Sequence, residues 1–179
     1  MRDFRFKLLI IIICFFGTML LRAQNNESIR WYTFDQLEAL QKKEKRKVMI
    51  DVFTNWCGWC KYMDKTTFAQ QYIAHYINEN YYAVKLNAEQ RESITFKNHT
   101  YKYVTQSNVG FNELAAELLN GQMSYPSTIF LDENFNIIQS ISGYLKSEQF
   151  EVIISYFGED NYKKIPWTRY EKTYTPMKR

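Results

Sequence analysis

Apolar and polar positions divide the chain into segments of different period. Residues 8–21 (LLIIIICFFGTMLL) form an uncharged run behind Arg2, Arg5 and Lys7. Thr33-Phe34-Asp35-Gln36 is a capping-box pattern, with Tyr32 and Leu37 placed for a hydrophobic staple. Phe34, Leu37 and Leu40 continue it as a helical stripe that runs out in the charged residues 42–47, the pattern of a solvated helix end. Residues 48–53 (VMIDVF) are almost continuously apolar, which predicts a central strand buried on both faces. Residues 58–66 and 69–79 predict helices, the second with Ile73, Tyr76 and Ile77 on its apolar side, and residues 81–86 predict another strand.

The middle of the chain changes character. Ile94-Thr95-Phe96 and residues 101–104 alternate like strands around Lys97-Asn98-His99-Thr100, which has turn chemistry. A surface hairpin is expected there. Asn112 is placed to cap a short helix over 113–119, ended by Asn120-Gly121. Strands follow at 127–131 and 135–141 around the turn Asp132-Glu133-Asn134. Ser147 is then the expected cap of a helix with Phe150, Ile153, Ile154 and Phe157 at i, i+3, i+4 and i+7, stopped by Gly158. Pro166 is placed to start a last helix with Trp167, Tyr170 and Tyr174 on one face. The order predicts an α/β fold in which a mixed sheet, parallel in its first half and antiparallel in its second, is flanked by helices.

Composition then sharpens the picture. Of 179 residues only 6 are Gly and 3 Pro, so collagen-like and low-complexity classes are excluded, and 3 Cys are too few for a disulfide-dense scaffold. The net charge of +4 invites a nucleic-acid or membrane-surface partner. Much of that charge lies in the first 23 residues. There, a basic start, an apolar run and Leu21-Arg22-Ala23 describe a secretory signal peptide with cleavage expected after Ala23. As a helix the run spans roughly 21 Å, short of the roughly 30 Å bilayer core, so an uncleaved anchor is the alternative. The remainder, residues 24–179, is nearly neutral and holds only Cys57 and Cys60. Export places it in the periplasm or outside the cell, where disulfides persist. The aromatic residues of the tail, 159–179, have helical spacing and read as an extension packed on the domain rather than a nucleic-acid surface.

Trp56-Cys57-Gly58-Trp59-Cys60-Lys61 follows the buried strand and opens a helix. Two sulfurs at i and i+3 on a first helical turn can close a small disulfide ring. Cys57 faces the unpaired N–H groups and positive dipole end of the helix, which stabilise a thiolate and lower its pKa below about 8.5. Cys60 is expected to be more buried and to remain a thiol until it resolves. A structural zinc site needs four ligands, and His75 and His99 lack ligand spacing, so no metal is expected. A purely structural disulfide usually closes a longer loop. Asp51, inside Val-Met-Ile-Asp-Val-Phe, is costly to bury, which raises its pKa and suits proton transfer.

VMIDVFTNWCGWCK resembles the strand–loop–helix active-site segment of the thioredoxin superfamily. Asp51 lies where thioredoxins place a buried carboxylate. Tyr81-Tyr82-Ala83-Val84-Lys85-Leu86-Asn87 is similar to the next central strand, with Lys85 at the position of the lysine facing that carboxylate. Tyr125-Pro126-Ser127-Thr128 looks like the cis-proline segment, and Gly143 matches the glycine after the last strand. The resemblance covers residues 32–158, apart from an insertion of hairpin and helix at 91–120 before the cis-proline strand. Within the superfamily it looks most like exported single-domain thioredoxins of bacteria, with the C-terminal domain of the reductase DsbD a relative.

The resemblance implies a thiol–disulfide oxidoreductase without a cofactor. Cys57 would be the nucleophile, Cys60 the resolving residue of a Cys57–Cys60 disulfide, Asp51 the proton acceptor and Lys85 its modulator. Trp56, Trp59, Tyr125 and Pro126 would bind substrate. The implied partners are protein or peptide disulfides and an upstream membrane electron donor, in a role of cell redox homeostasis. Trp59 stands where thioredoxins carry a proline, which leaves reduction or isomerisation against oxidation open. Lys85 has a plainer reading as a lysine that snorkels to water. A non-catalytic peptide-binding domain of the same fold is the other alternative.

Overall fold

The computed structural model describes residues 27–106 and 108–178. The expected signal peptide at 1–23 lies outside the described residues. Strand β1 (Trp31–Tyr32) leads into helix α1 (Phe34–Lys43), followed by β2 (Lys47–Phe53) and α2 (Gly58–Met63). A wide π-helical turn (Asp64–Phe68) joins α2 to α3 (Gln71–Asn80), and β3 (Tyr81–Asn87) follows. Hairpins β4 (Ile94–Phe96) with β5 (His99–Tyr101) and β6 (Tyr103–Gln106) with β7 (Val109–Asn112) precede α4 (Glu113–Leu118). The chain ends in β8 (Ser127–Leu131), β9 (Ile137–Ser142), α5 (Ser147–Gly158), a 3₁₀ turn (Asn161–Lys163) and α6 (Trp167–Thr173).

Five strands form one sheet in the order β1-β3-β2-β8-β9. Strands β1, β3 and β2 are parallel, with Asp51 opposite Lys85 in register. Strand β8 runs antiparallel to both β2 and β9. The near-continuous apolar run of β2 is explained by what covers each face. Val48, Ile50 and Val52 pack with Val84, Ile129 and Leu131 beneath Leu37 of α1 and Leu114 of α4. Met49 packs with Ala83 and Phe130 against Ile73 of α3 and Phe150 of α5 on the other face. Each of these side chains larger than alanine contributes roughly 1.5–3 kcal/mol. The capping box of α1 forms as expected: Gln36 N donates to Thr33 Oγ1 and Thr33 N to Gln36 Oε1.

Several expectations are corrected. The single hairpin at 92–105 is two hairpins outside the central sheet. Lys97 and Asn98 both have positive φ, 53° and 59°, which closes β4–β5 in a two-residue turn that ends β5 at Tyr101. Ile94, Phe96 and Tyr101 of this hairpin are buried on the α1 face of the sheet. The two predicted helices at 58–66 and 69–79 are joined by the π turn rather than separated by a plain loop. Ser147 is the first helical residue, and Lys146 takes the cap position. The last strand starts at Ile137 because Phe135, at φ 64°, turns its ring onto Phe96. Lys47 is not part of a solvated helix end; it opens β2 and is buried. Strand β1 carries no sequence signal because two residues are too short to show a period.

Candidate active site

After β2 the chain turns through Thr54 to Cys57, whose N–H donates to the Thr54 carbonyl at 3.2 Å. Cys57 caps α2: its Sγ accepts from the Cys60 N–H at 3.0 Å. The two cysteines form a disulfide with an S–S distance of 2.06 Å and Cα atoms 5.3 Å apart. Both are 4% exposed, so Cys60 is not the more buried of the pair as expected. The asymmetry is positional instead. Cys57 precedes the first turn and faces donated backbone hydrogen, whereas Cys60 lies within the helix. Negative charge is favoured at the first position.

Beneath this pair lies a charged cluster. Asp51 is buried, and its Oδ2 accepts from Lys85 Nζ at 3.1 Å. Its Oδ1 is buried without a hydrogen-bond partner. Burial pushes the Asp51 carboxyl up to about 6, against the pull of Lys85. Such a group changes protonation near neutral pH, as proton-transfer chemistry requires. Lys85 also donates to Asp64 Oδ1 at 2.5 Å. Burial works against its charge, yet the two carboxylates raise its pKa. The Lys85 ammonium lies against two carboxylates, and its side chain is 26% exposed.

Sequence reasoning missed Asp64. It sits four residues after Cys60 in a charged stretch that reads as helix surface. The π turn brings it inward, and the same turn ends at Phe68, whose ring also faces Lys85. Spacing from Cys60, on the face that carries the buried Met63 and Phe68 onward, was the available signal.

Two aromatic rims flank the disulfide. Trp56 is 66% exposed, donates its Nε1–H to Glu89 Oε1 at 2.8 Å and meets Tyr125 edge-on at 5.9 Å. Burial, with Glu89 nearby, pushes the Tyr125 phenol up to about 12, so it stays neutral. Trp59, 62% exposed, packs at 5.8 Å from Tyr62 and 5.5 Å from Tyr144. With Gly58 and Lys146 these rings line an open groove of about 680 Å³. The Tyr125–Pro126 peptide bond is cis. The Pro126 carbonyl accepts from Gly143 N–H at 2.8 Å, and Gly143 holds φ at +100°, a conformation suited to glycine. Among the described residues the Tyr125 backbone makes no main-chain hydrogen bond. Cys57, Cys60, Trp56, Trp59, Tyr125 and Pro126 thus share one end of the molecule, with Asp51 and Lys85 below.

The chain matches the family model Thioredox_DsbH, described as "Protein of unknown function, DUF255", over residues 17–157, and it belongs to that family. A segment of 85 residues is 31% identical to spermatogenesis-associated protein 20 of Rattus norvegicus, covering 46% of this chain and 11% of that protein. The chain therefore spans about a tenth of the length of the curated relatives it matches. Among solved structures, a thioredoxin-fold protein from Helicobacter pylori aligns with a TM-score of 0.56 at 19% identity, covering 83% of this chain and 84% of that one. A structure named DsbH oxidoreductase aligns with a TM-score of 0.54 at 14% identity, covering 79% and 92%. At these identities the likeness establishes the fold: a thioredoxin fold with a central mixed sheet and flanking helices.

Proposed function

We propose that this family member is an extracytoplasmic thiol–disulfide oxidoreductase that reduces or isomerises protein disulfides through the Cys57/Cys60 pair. The observation that carries the reading is the Cys57–Cys60 disulfide at the start of α2, the helix that follows the strand carrying the buried Asp51, whose carboxyl burial pushes up to about 6. In the reduced protein the Cys57 thiolate attacks one sulfur of a substrate disulfide. A mixed disulfide forms, and the second substrate sulfur leaves as a thiolate that takes a proton from solvent. Asp51 accepts the Cys60 proton. The Cys60 thiolate then attacks Cys57 Sγ, which re-forms the Cys57–Cys60 bond, breaks the bond between Cys57 and the first substrate sulfur, and releases that sulfur as a thiolate that takes a proton from solvent. Lys85 modulates the affinity of Asp51 for that proton. A dithiol donor, which we assign to a membrane electron carrier, must supply two electrons to begin the next cycle.

The two aromatic rims support binding of an extended substrate segment. Its main chain would pair with the free backbone of Tyr125 beside cis Pro126, and its side chains would rest on Trp56 and Trp59. The reading also places residues 24–179 outside the cytoplasm after cleavage near Ala23, with retention by an uncleaved leader as the other outcome of N-terminal sequencing. Cys57→Ser is expected to abolish disulfide reduction, and Cys60→Ser to accumulate mixed disulfides resolvable on a non-reducing gel. Native-rate reduction by Cys57→Ser would sink the mechanism. Equilibration of residues 24–179 with glutathione buffers sets the direction. A midpoint near about −270 mV supports reduction, and one near about −120 mV replaces it with oxidation.

A further inference from the structure

We propose that Trp31, together with Phe53 and Phe68, forms an aromatic box that fixes the Lys85 ammonium against Asp51, which makes Trp31 a positioning residue for the Asp51 proton. The proposal rests on the reading that Asp51 exchanges the Cys60 proton. Strand β1 is only two residues long, yet its pairing places Trp31 opposite Ala83. Side chains two apart on a strand share a face, so Trp31 and Lys85 lie on the same side of the sheet. Asp51 and Phe53 share that side from β2, because Asp51 is the register partner of Lys85.

Three ring centroids surround the ammonium: Trp31 at 5.0 Å, Phe53 at 5.1 Å and Phe68 at 5.7 Å. All lie within the roughly 6 Å over which a ring face attracts a cation. The box is braced from behind, since Phe68 meets Trp31 edge-on at 5.5 Å and Phe150 at 5.3 Å. Ring faces favour the charged ammonium but compete poorly with a carboxylate for its N–H groups. The box therefore keeps the stem from swinging to water while leaving the protons of Lys85 to Asp51 Oδ2 and Asp64 Oδ1. It also explains why a lysine on a strand beside the surface does not snorkel.

A fixed cation favours ionised Asp51, so loosening it raises the pH at which Asp51 titrates. The charged groups facing Asp51 are Lys85 from β3 and Asp64 from the π turn. Above it, the α2 cysteines carry no titrating thiol while they are disulfide-bonded. The oxidised full-length protein is therefore the sample, and Asp51 is followed by carboxyl ¹³C NMR across pH. Trp31→Leu keeps apolar bulk and removes the ring; the Asp51 midpoint is expected to rise by about one pH unit, a tenfold change in proton affinity. Trp31→Phe restores a ring face and is expected to recover most of the native midpoint. A midpoint that is unchanged or lower in Trp31→Leu, or equally raised in both variants, overturns the proposal. If Trp31→Leu does not fold, Phe68→Leu removes a different wall of the box and must raise the midpoint in the same direction. The titration involves no turnover, so its outcome is independent of whether Cys57→Ser abolishes disulfide reduction.

Discussion

Two lysines of the central sheet each bridge two carboxylates, toward opposite ends of the β2–β3 pair. Lys47, at the start of β2, lies 2.8 Å from Glu133 Oε1 and 3.0 Å from Asp160 Oδ1. Lys85 lies 3.1 Å from Asp51 Oδ2 and 2.5 Å from Asp64 Oδ1. The clusters differ in which member is dry. At Lys47 the cation is buried, with its side chain 5% exposed, and the carboxylates are about one-third exposed, at 33% and 36%. At Lys85 it is Asp51 that is buried.

The electrostatics follow. Burial works to raise Glu133 and Asp160, but Lys47 holds Glu133, and Lys163 together with Lys47 holds Asp160, below the ordinary carboxylate range. Burial wins at Asp51 and pushes it up to about 6. The two clusters therefore respond to acid with opposite signs. Glu133 and Asp160 contribute stability that is present above their unfolded values and lost as pH falls through their lowered ones. Asp51 costs stability above about 6, and that cost is relieved as pH falls toward its unfolded value of about 3.9. One cluster tethers the chain after α5 and the β8–β9 turn to the sheet. The other stores a cost that a single proton releases, which suits the proton transfer proposed for Asp51.

Stranding the dry cation is expected to have the largest effect. Glu133→Gln combined with Asp160→Asn leaves Lys47 buried and unpaired, at a cost of about 3–5 kcal/mol in folding stability. Urea unfolding at neutral pH measures it, while the Asp51 midpoint should not move. A loss under about 1 kcal/mol would mean that Lys47 reaches water and that the two clusters are not opposites. Removing the dry anion should act the other way. Asp51→Asn deletes a carboxyl raised from 3.8 to about 6; a shift of this size corresponds to roughly 3 kcal/mol above pH 6. Because the amide must also be accommodated, a gain of about 1–3 kcal/mol at pH 7 is expected, together with slower release of mixed disulfides. The gain should shrink at pH 4.5, where the native carboxyl is protonated. An equal gain at both pH values would sever stability from the Asp51 proton.

The legibility of the two clusters in the sequence also differs. Asp51 stood out because a carboxylate interrupts an apolar strand, and Lys85 through the resemblance of residues 81–87 to the next central strand of the thioredoxin superfamily. The capping box of α1 was readable as a local pattern with one structural solution, whereas cis Pro126 was legible only through the resemblance of Tyr125-Pro126-Ser127-Thr128 to the cis-proline segment of the thioredoxin superfamily. Lys47 was hidden in a charge run, where only its neighbours Val48 and Met49 mark it as the first residue of a strand. Asp64, Phe68 and Trp31 converge on Lys85 from a π turn and a two-residue strand. Neither element has a period to detect, so their meeting is a tertiary fact. The second hairpin, β6–β7, escaped because the tight Lys97-Asn98 turn ended the first one three residues early, and register cannot be counted before the turn type is known.

The finest test separates the two partners of Lys85. Asp64 shares the ammonium with Asp51 and is itself a negative charge that raises the Asp51 pKa. Asp64→Asn removes the like charge and leaves Lys85 to Asp51 alone, and both changes favour ionised Asp51. Its midpoint should fall from about 6, by roughly half a pH unit because a half-exposed carboxylate acts through screened solvent. By linkage the cost of burying Asp51 at pH 7 falls with it, by less than about 1 kcal/mol. Screening supplies the control. Raising ionic strength from about 0.05 M to about 1 M should shrink the difference between native protein and Asp64→Asn, since the Debye length contracts from roughly 14 Å to about 3 Å. The dry contact between Lys85 and Asp51 should resist the same salt. A midpoint that rises in Asp64→Asn would reverse the assignment: Asp64 would then be what holds Lys85 in place for Asp51, rather than its competitor for the charge.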